Sequence, residues 1–236
     1  MERLKLGLAV ARDEKDLSEL NSFLTDSWPQ VLLFPEYYLA SEMIPDACKL
    51  ARANKKWLIT GVEDRREPGK FYQTAIVINP RGEIVGEHQK TSITRTEVER
   101  GNSRGDSIRV IETEFGKIGI TICYELHLPE IARVLALQGA EIIFNPIGTG
   151  MWHEDQYRQW NCLASTRAYE NGVFVVGCSH FNDAIPIAFA YDPKGKCLLQ
   201  ERSVNRLIPI TLDPSSYTFG RNFNQRRPKL YSDLVK

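Results

Sequence analysis

Three side chains of this sequence could together carry out acyl transfer. Cys123 stands where the apolar run Lys117-Ile-Gly-Ile-Thr-Ile stops, and Pro129 opens a helix six residues on. A thiol at such a corner projects from the carboxyl edge of a sheet with backbone N–H groups close by. Partial positive charge at a helix start favours thiolate, and the N–H of Tyr124 is placed to donate to an oxyanion. Glu36 ends the buried run Val31-Leu-Leu-Phe-Pro, where desolvation raises a carboxyl towards the range of a useful base. Lys90 ends Glu-His-Gln-Lys and could hold charge beside both groups. Taken singly, each has an ordinary alternative: a core cysteine, a solvated loop glutamate, a lysine guarding a sheet edge.

The flanking segments are the elements that must position them. Leu4, Leu6, Leu8 and Val10 alternate as a strand, and Leu17, Leu20, Phe23 and Leu24 follow at helical spacing. The pattern predicts a strand from Val31, a helix over Ile44–Asn54 and a strand over Trp57–Val62. Phe71–Asn79 and Glu83–Lys90 read as a hairpin joined by Pro80-Arg-Gly82. Beyond the polar stretch Thr91–Ser107, strands are expected at Lys117–Cys123, Ile142–Asn145 and Val173–Cys178. Helices are expected from Pro129 to Gly139 and over Asp155–Asn171, the latter closed by Gly172. Strands Ile187–Tyr191, Cys197–Glu201 and Leu207–Leu212 complete a layered α/β domain with mixed pairing over residues 1–236.

Composition narrows the function. Thirty Lys and Arg balance thirty Asp and Glu, and no basic block offers phosphate affinity, so nucleic acid is not an expected partner. Apolar runs are far short of the roughly 20 residues that span a bilayer, and the alternating start is unlike a signal peptide, so a cytoplasmic chain without membrane contact is expected. Five cysteines without zinc-type spacing are read as reduced thiols, and no metal site is expected.

In order along the chain, Phe-Pro-Glu36-Tyr, Gly-Glu-His-Gln-Lys90 and Cys123-Tyr-Glu-Leu-His-Leu-Pro-Glu resemble the three signature segments of the nitrilase superfamily, the carbon–nitrogen hydrolases. Tyr72-Gln-Thr-Ala-Ile-Val-Ile-Asn-Pro-Arg-Gly, Arg167-Ala-Tyr-Glu-Asn, Asp192-Pro-Lys-Gly and Arg226-Arg-Pro-Lys-Leu-Tyr extend the similarity over nearly the whole sequence.

The resemblance implies a four-layer α-β-β-α sandwich and a Glu36–Lys90–Cys123 triad that hydrolyses a small carboxamide or N-carbamoyl compound through a thioester, with no cofactor. Nitrile hydrolysis by the same triad, or a noncatalytic relative that binds a metabolite or a protein, are the alternatives. It also implies an accessory glutamate between the lysine and the cysteine. Glu97 and Glu99 compete for that part, with Glu99 preferred for standing nearer Gly105-Asp106. Tyr37, Tyr124, Glu125, His127 and Trp152 are the expected lining of the substrate site. Self-association as a homodimer is expected, with the tail 219–236 a candidate for its interface.

Overall fold

The computed structural model describes residues 3–12, 15–202, 206–217 and 225–235. The first half of the chain supplies β1 (Leu4–Val10), α1 (Leu17–Leu24), β2 (Val31–Leu33), β3 (Leu39–Ala40), α2 (Ile44–Asn54), β4 (Trp57–Asp64), β5 (Tyr72–Ile78), β6 (Ile84–Gln89) and α3 (Arg95–Glu99). The second supplies β7 (Ile111–Thr113), β8 (Gly116–Ile120), α4 (Pro129–Leu137), β9 (Ile142–Ile147), α5 (Glu154–Asn171), β10 (Phe174–Ser179), β11 (Ala188–Tyr191), β12 (Cys197–Glu201) and β13 (Arg206–Leu212).

These strands form two sheets. One runs β13-β1-β2-β4-β5-β6, with β3 beside β4, and the other β12-β11-β10-β9-β8-β7. Both are mixed: β1, β2 and β4 are parallel in the first and β8, β9 and β10 in the second, with antiparallel strands outside them.

The strand period of two sorts the side chains into layers. Leu6, Leu8, Val31, Leu33, Ile59 and Val77 face Ile118, Ile120, Ile142, Phe144, Val176 and Ala190 between the sheets. The alternate residues Ala9, Leu32, Phe34, Leu58 and Ile76 meet Leu20, Leu24, Ala47 and Ala51 of α1 and α2. On the far side Ile143, Val175 and Phe189 meet Ile131, Leu135, Trp160, Ala164 and Ala168 of α4 and α5. The order of layers is therefore α-β-β-α, as expected. Each fully buried Leu, Ile or Phe contributes roughly 1.5–3 kcal/mol, so the doubly covered sheets make a rigid base for the loops at their edge.

Local chemistry explains the boundaries. Asp16 caps α1 by accepting the Ser18 N–H at 2.7 Å, Pro129 opens α4, and Gly172 closes α5 in the left-handed region at φ 61°. The Asn79–Glu83 turn closes the expected β5–β6 hairpin, with Asn79 N–H donating to Glu83 O at 2.9 Å. The polar stretch expected to be loop instead contains α3, whose five residues are too few to show a period. Of the tail, residues 219–224 and 236 lie outside the described residues. Short 3-10 turns at Pro228–Leu230 and Ser232–Val235 form the rest, and Arg226, Tyr231 and Leu234 line a recess with Pro129, Arg133 and Glu170 of the same chain.

Candidate active site

The site residues leave the sheets at the carboxyl ends of β2, β6 and β8. Pro35-Glu36 follows β2, Lys90 follows β6, and Cys123 opens a 3-10 turn, Cys123–His127, just beyond β8. Cys123 and Tyr37 both adopt left-handed backbone, at φ 48° and 65°. For residues other than glycine this costs about 1–3 kcal/mol each and persists only where the surroundings fix it. Around the turn at Cys123 that fixing is visible. Asn145 Nδ2 donates to Thr121 O at 2.6 Å and Cys123 O at 3.3 Å, and its Oδ1 accepts from Trp160 Nε1 at 3.1 Å. Arg167 of α5 donates to the carbonyls of Leu126 at 3.1 Å and His127 at 2.9 Å, pinning the turn's far end.

The side chains converge on a buried ammonium. Lys90 Nζ donates to Glu36 Oε1 at 2.9 Å and to Glu97 Oε1 at 2.6 Å, and both lysine and Glu36 are at most 2% exposed. Tyr37 OH donates to the same Glu97 oxygen at 2.8 Å. The Cys123 sulfur lies beside the Glu36 carboxylate and the Gly148 N–H, both of which act on its proton affinity.

Burial and then charge set the proton affinities. Desolvation raises Glu36 above the usual carboxylate range, with Lys90 pulling the other way. Burial would lower Lys90, but Glu36, Cys123 and Glu97 outweigh it and keep the ammonium charged. Glu97 is also penalised by burial, yet Lys90, the Thr94 N–H and Tyr37 hold it below its ordinary value. Burial, then the Glu36 charge, push the Cys123 thiol up to about 12, against Lys90 and the Gly148 N–H. The thiolate-favouring helix start expected from sequence does not prevail. The turn holding Cys123 is one short 3-10 segment, and burial followed by the neighbouring Glu36 carboxylate outweighs it.

Glu97, and not the preferred Glu99, reaches Lys90. Glu99 points to solvent, where its Oε1 accepts from Arg95 at 2.9 Å with 61% of its side chain exposed. The two lie on opposite faces of α3. Thr94-Arg-Thr-Glu97 is a capping box: Thr94 Oγ1 accepts the Glu97 N–H at 3.3 Å and Glu97 Oε2 accepts the Thr94 N–H at 2.6 Å. That four-residue pattern was the signal available in the sequence.

Glu125, expected in the site lining, turns its carboxylate to protein donors. Fully buried, it accepts from Thr91 N–H and Oγ1 (both 2.7 Å), Ser92 N–H (3.3 Å), Ile122 N–H (2.8 Å) and His88 Nε2 (2.8 Å). It therefore ties the backbone after Lys90 to the backbone before Cys123. Burial opposes its charge, but His88 and these N–H donors leave its carboxyl below the normal range. Of the remaining expected residues, Tyr37 is at the cluster. Tyr124 lies part-exposed, stacked on His127 at 5.1 Å, and His127 meets Trp160 edge-on at 4.7 Å. Trp152 is on the surface, 67% exposed.

Two glycines let backbone approach Glu36. A Cβ on Gly61 would stand 2.4 Å from Glu36 Cα, and one on Gly148 would stand 2.5 Å from both Glu36 Oε2 and the Tyr37 ring. Among the described residues no group of three or more His, Cys, Asp or Glu is arranged to hold a metal ion.

The carbon-nitrogen hydrolase family model matches residues 17–219. A Schizosaccharomyces pombe hydrolase is 29% identical over 223 residues, covering 85% of this chain and 65% of its own length, so the chain spans just under two thirds of that relative. The omega-amidase NIT3 of Saccharomyces cerevisiae is 30% identical over 209 residues, 78% of this chain and 70% of that protein. The crystal structure of a carbon-nitrogen hydrolase from Helicobacter pylori superposes with a TM-score of 0.89 at 19% identity, covering 100% of this chain and 99% of that one, which bears on the fold. A layered fold of the same kind and a family match that runs through Glu36, Lys90 and Cys123 lead to one assignment: the chain belongs to the carbon-nitrogen hydrolase family of the nitrilase superfamily.

Proposed function

We propose that this protein hydrolyses a small carboxamide or N-carbamoyl compound through a thioester on Cys123, with Glu36 as general base and acid. The observation that carries the reading is the Lys90 ammonium bonded to Glu36 at 2.9 Å, with Cys123 adjoining the same carboxylate. A thiol pushed up to about 12 is a poor nucleophile unless its proton leaves as it attacks, and Glu36, raised by burial, is the acceptor beside it.

In this reading the sulfur bonds to the carbonyl carbon while its proton passes to Glu36. The oxyanion takes hydrogen bonds from Lys90 Nζ and the Tyr124 N–H. Collapse breaks the C–N bond, Glu36 returns the proton to nitrogen, and ammonia or an amine leaves. Glu36 then takes a proton from water as the water oxygen attacks the thioester, releasing the acid and restoring the thiol. Glu97 holds Lys90 and Tyr37 rather than the reacting atoms. The likeness to an omega-amidase supports amides over nitriles as the substrate class.

The test is intact-protein mass spectrometry during turnover of a panel of amides, carbamoyl compounds and nitriles, with ammonia release measured in parallel. An acyl adduct that maps to Cys123 and is absent from Cys123→Ala is the expected result. Full turnover by Cys123→Ala would falsify the mechanism.

A further inference from the structure

His180 follows β10 in the second sheet and is 1% exposed, yet both its ring nitrogens face carbonyl groups from the first. Nε2 is 2.6 Å from Glu36 O, and Nδ1 is 3.0 Å from Arg12 O. A peptide carbonyl only accepts. A neutral imidazole has one N–H, so in either tautomer one bare nitrogen lone pair would point at a carbonyl oxygen. No rotation of the partner removes the conflict, as it would for water or a hydroxyl. Both contacts are hydrogen bonds only if both nitrogens carry protons.

The surroundings suit a cation. The Tyr38 ring stacks on His180 with centroids 6.1 Å apart and planes at 25°. Tyr38 OH donates to Glu19 Oε2 at 3.0 Å, and Glu19 Oε1 takes the Arg12 N–H at 3.4 Å, so a carboxylate closes the same network. The ionisable groups in this network include Glu19, Asp16, Tyr38, Arg12 and Glu36. The next residue continues the clasp, since Phe181 N–H donates to Ala11 O at 2.7 Å.

We propose that His180 is a positioning residue for Glu36: an imidazolium that gives one N–H to the Glu36 carbonyl and the other to the Arg12 carbonyl, so that the second sheet holds the general base of the first. The carbonyl it grips belongs to the peptide that enters the left-handed Tyr37, at φ 65°. Fixing that peptide sets the directions of two side chains at once, Glu36 towards Lys90 and Cys123, and Tyr37 towards Glu97. Cys123 follows β8 of the sheet that carries His180, so the ring fixes base against nucleophile across the sandwich. The effect on turnover rests on the hydrolase reading given above, whereas the protonation of the ring does not.

The first measurement is therefore made without substrate. In the full chain with ring-nitrogen-labelled histidine, NMR at pH 7 should show a directly bonded proton on each of the two His180 nitrogens, assigned by their loss in His180→Phe. A bare nitrogen on that ring overturns the proposal. The second measurement is kinetic. His180→Phe keeps a ring against Tyr38 and loses both donors, and kcat should fall at least tenfold with KM within twofold. Unchanged kcat in the folded variant overturns the positioning role, since a merely structural residue would lower only thermal stability. Should His180→Phe fail to fold, His180→Gln, with one amide donor, should show the same split between kcat and KM with a smaller loss, and unchanged kcat there overturns the role equally. Cys123→Ala serves as the control that separates the cases: turnover surviving in it removes the hydrolase reading and leaves the ring measurement standing.

Discussion

Lys90 and Glu97 meet at 2.6 Å inside the protein, closer than the 2.9 Å between Lys90 and Glu36. One buried ammonium thus serves two carboxylates of different character, Glu97 held below the ordinary range and Glu36 raised above it. In the function proposed above, the lowered carboxylate would hold the lysine and the raised one would take and return the proton. Glu97→Gln should lower kcat by about 10²-fold or more, the scale of losing a preorganised electrostatic contact. Glu99→Gln, on the solvent face, should stay within twofold. Equal losses in steady-state assays of the two variants would contradict the geometry.

Removing the ammonium leaves Glu36 and Glu97 as neighbouring buried acids. Lys90→Met should destabilise the fold by about 3–5 kcal/mol at pH 7, the usual cost of breaking a buried ion pair from one side. Urea unfolding is the measurement. Because the cost comes from uncompensated negative charge, the variant should recover stability as the pH falls and those carboxyls protonate.

Alkylation of Cys123 gives the test of electrostatic sign. With the thiol pushed up to about 12, its reaction with iodoacetamide should be slow at neutral pH and still rising at pH 10. The Glu36 charge is one cause of that elevation and Lys90 opposes it. Glu36→Gln should therefore label faster than wild type at pH 8 while losing turnover. Peptide mapping separates Cys123 from the exposed Cys162 and Cys197. Slower labelling in Glu36→Gln would mean that Glu36 acts on the sulfur mainly as proton acceptor and not through its charge.

Glu125 predicts an acid limit. Its carboxyl lies below the ordinary glutamate value of about 4.5 in the folded protein, so its contribution is present above about pH 4.5 and is lost as the pH falls through the lowered folded value. Glu125→Gln should cost about 2–4 kcal/mol at pH 7, since an amide cannot accept from all of its donors. That cost should shrink towards pH 3, and denaturant midpoints recorded for both proteins across this range measure it. A constant difference would show that the carboxylate charge is not what the clasp uses.

Much of the layered architecture was legible because its sheets are covered on both sides. Alternation in Leu4–Val10 and the spacing in Ile44–Asn54 give these two elements with the observed ends. Glu36, Lys90 and Cys123 were singled out together only by the ordered resemblance of their segments to the family, since each alone had an ordinary alternative. The tertiary partners were not. His180 and Gly148 act through main-chain groups of segments far away in sequence, and nothing in their own neighbourhoods marks that. Glu125 was read as pocket lining because an acid two residues from a nucleophile has two possible directions, and only the Thr91 and Ile122 N–H groups choose between them. The choice between Glu97 and Glu99 was available in the capping box at Thr94 and was lost by treating α3 as loop.

The close approach at Gly148 has a consequence for variation. With the Glu36 carboxylate and the Tyr37 ring each 2.5 Å from where a methyl group would sit, a saturation library at this codon should return a single survivor under selection for activity. Even alanine would push the acid from its place, so the spacing at this cluster is set by a missing carbon atom.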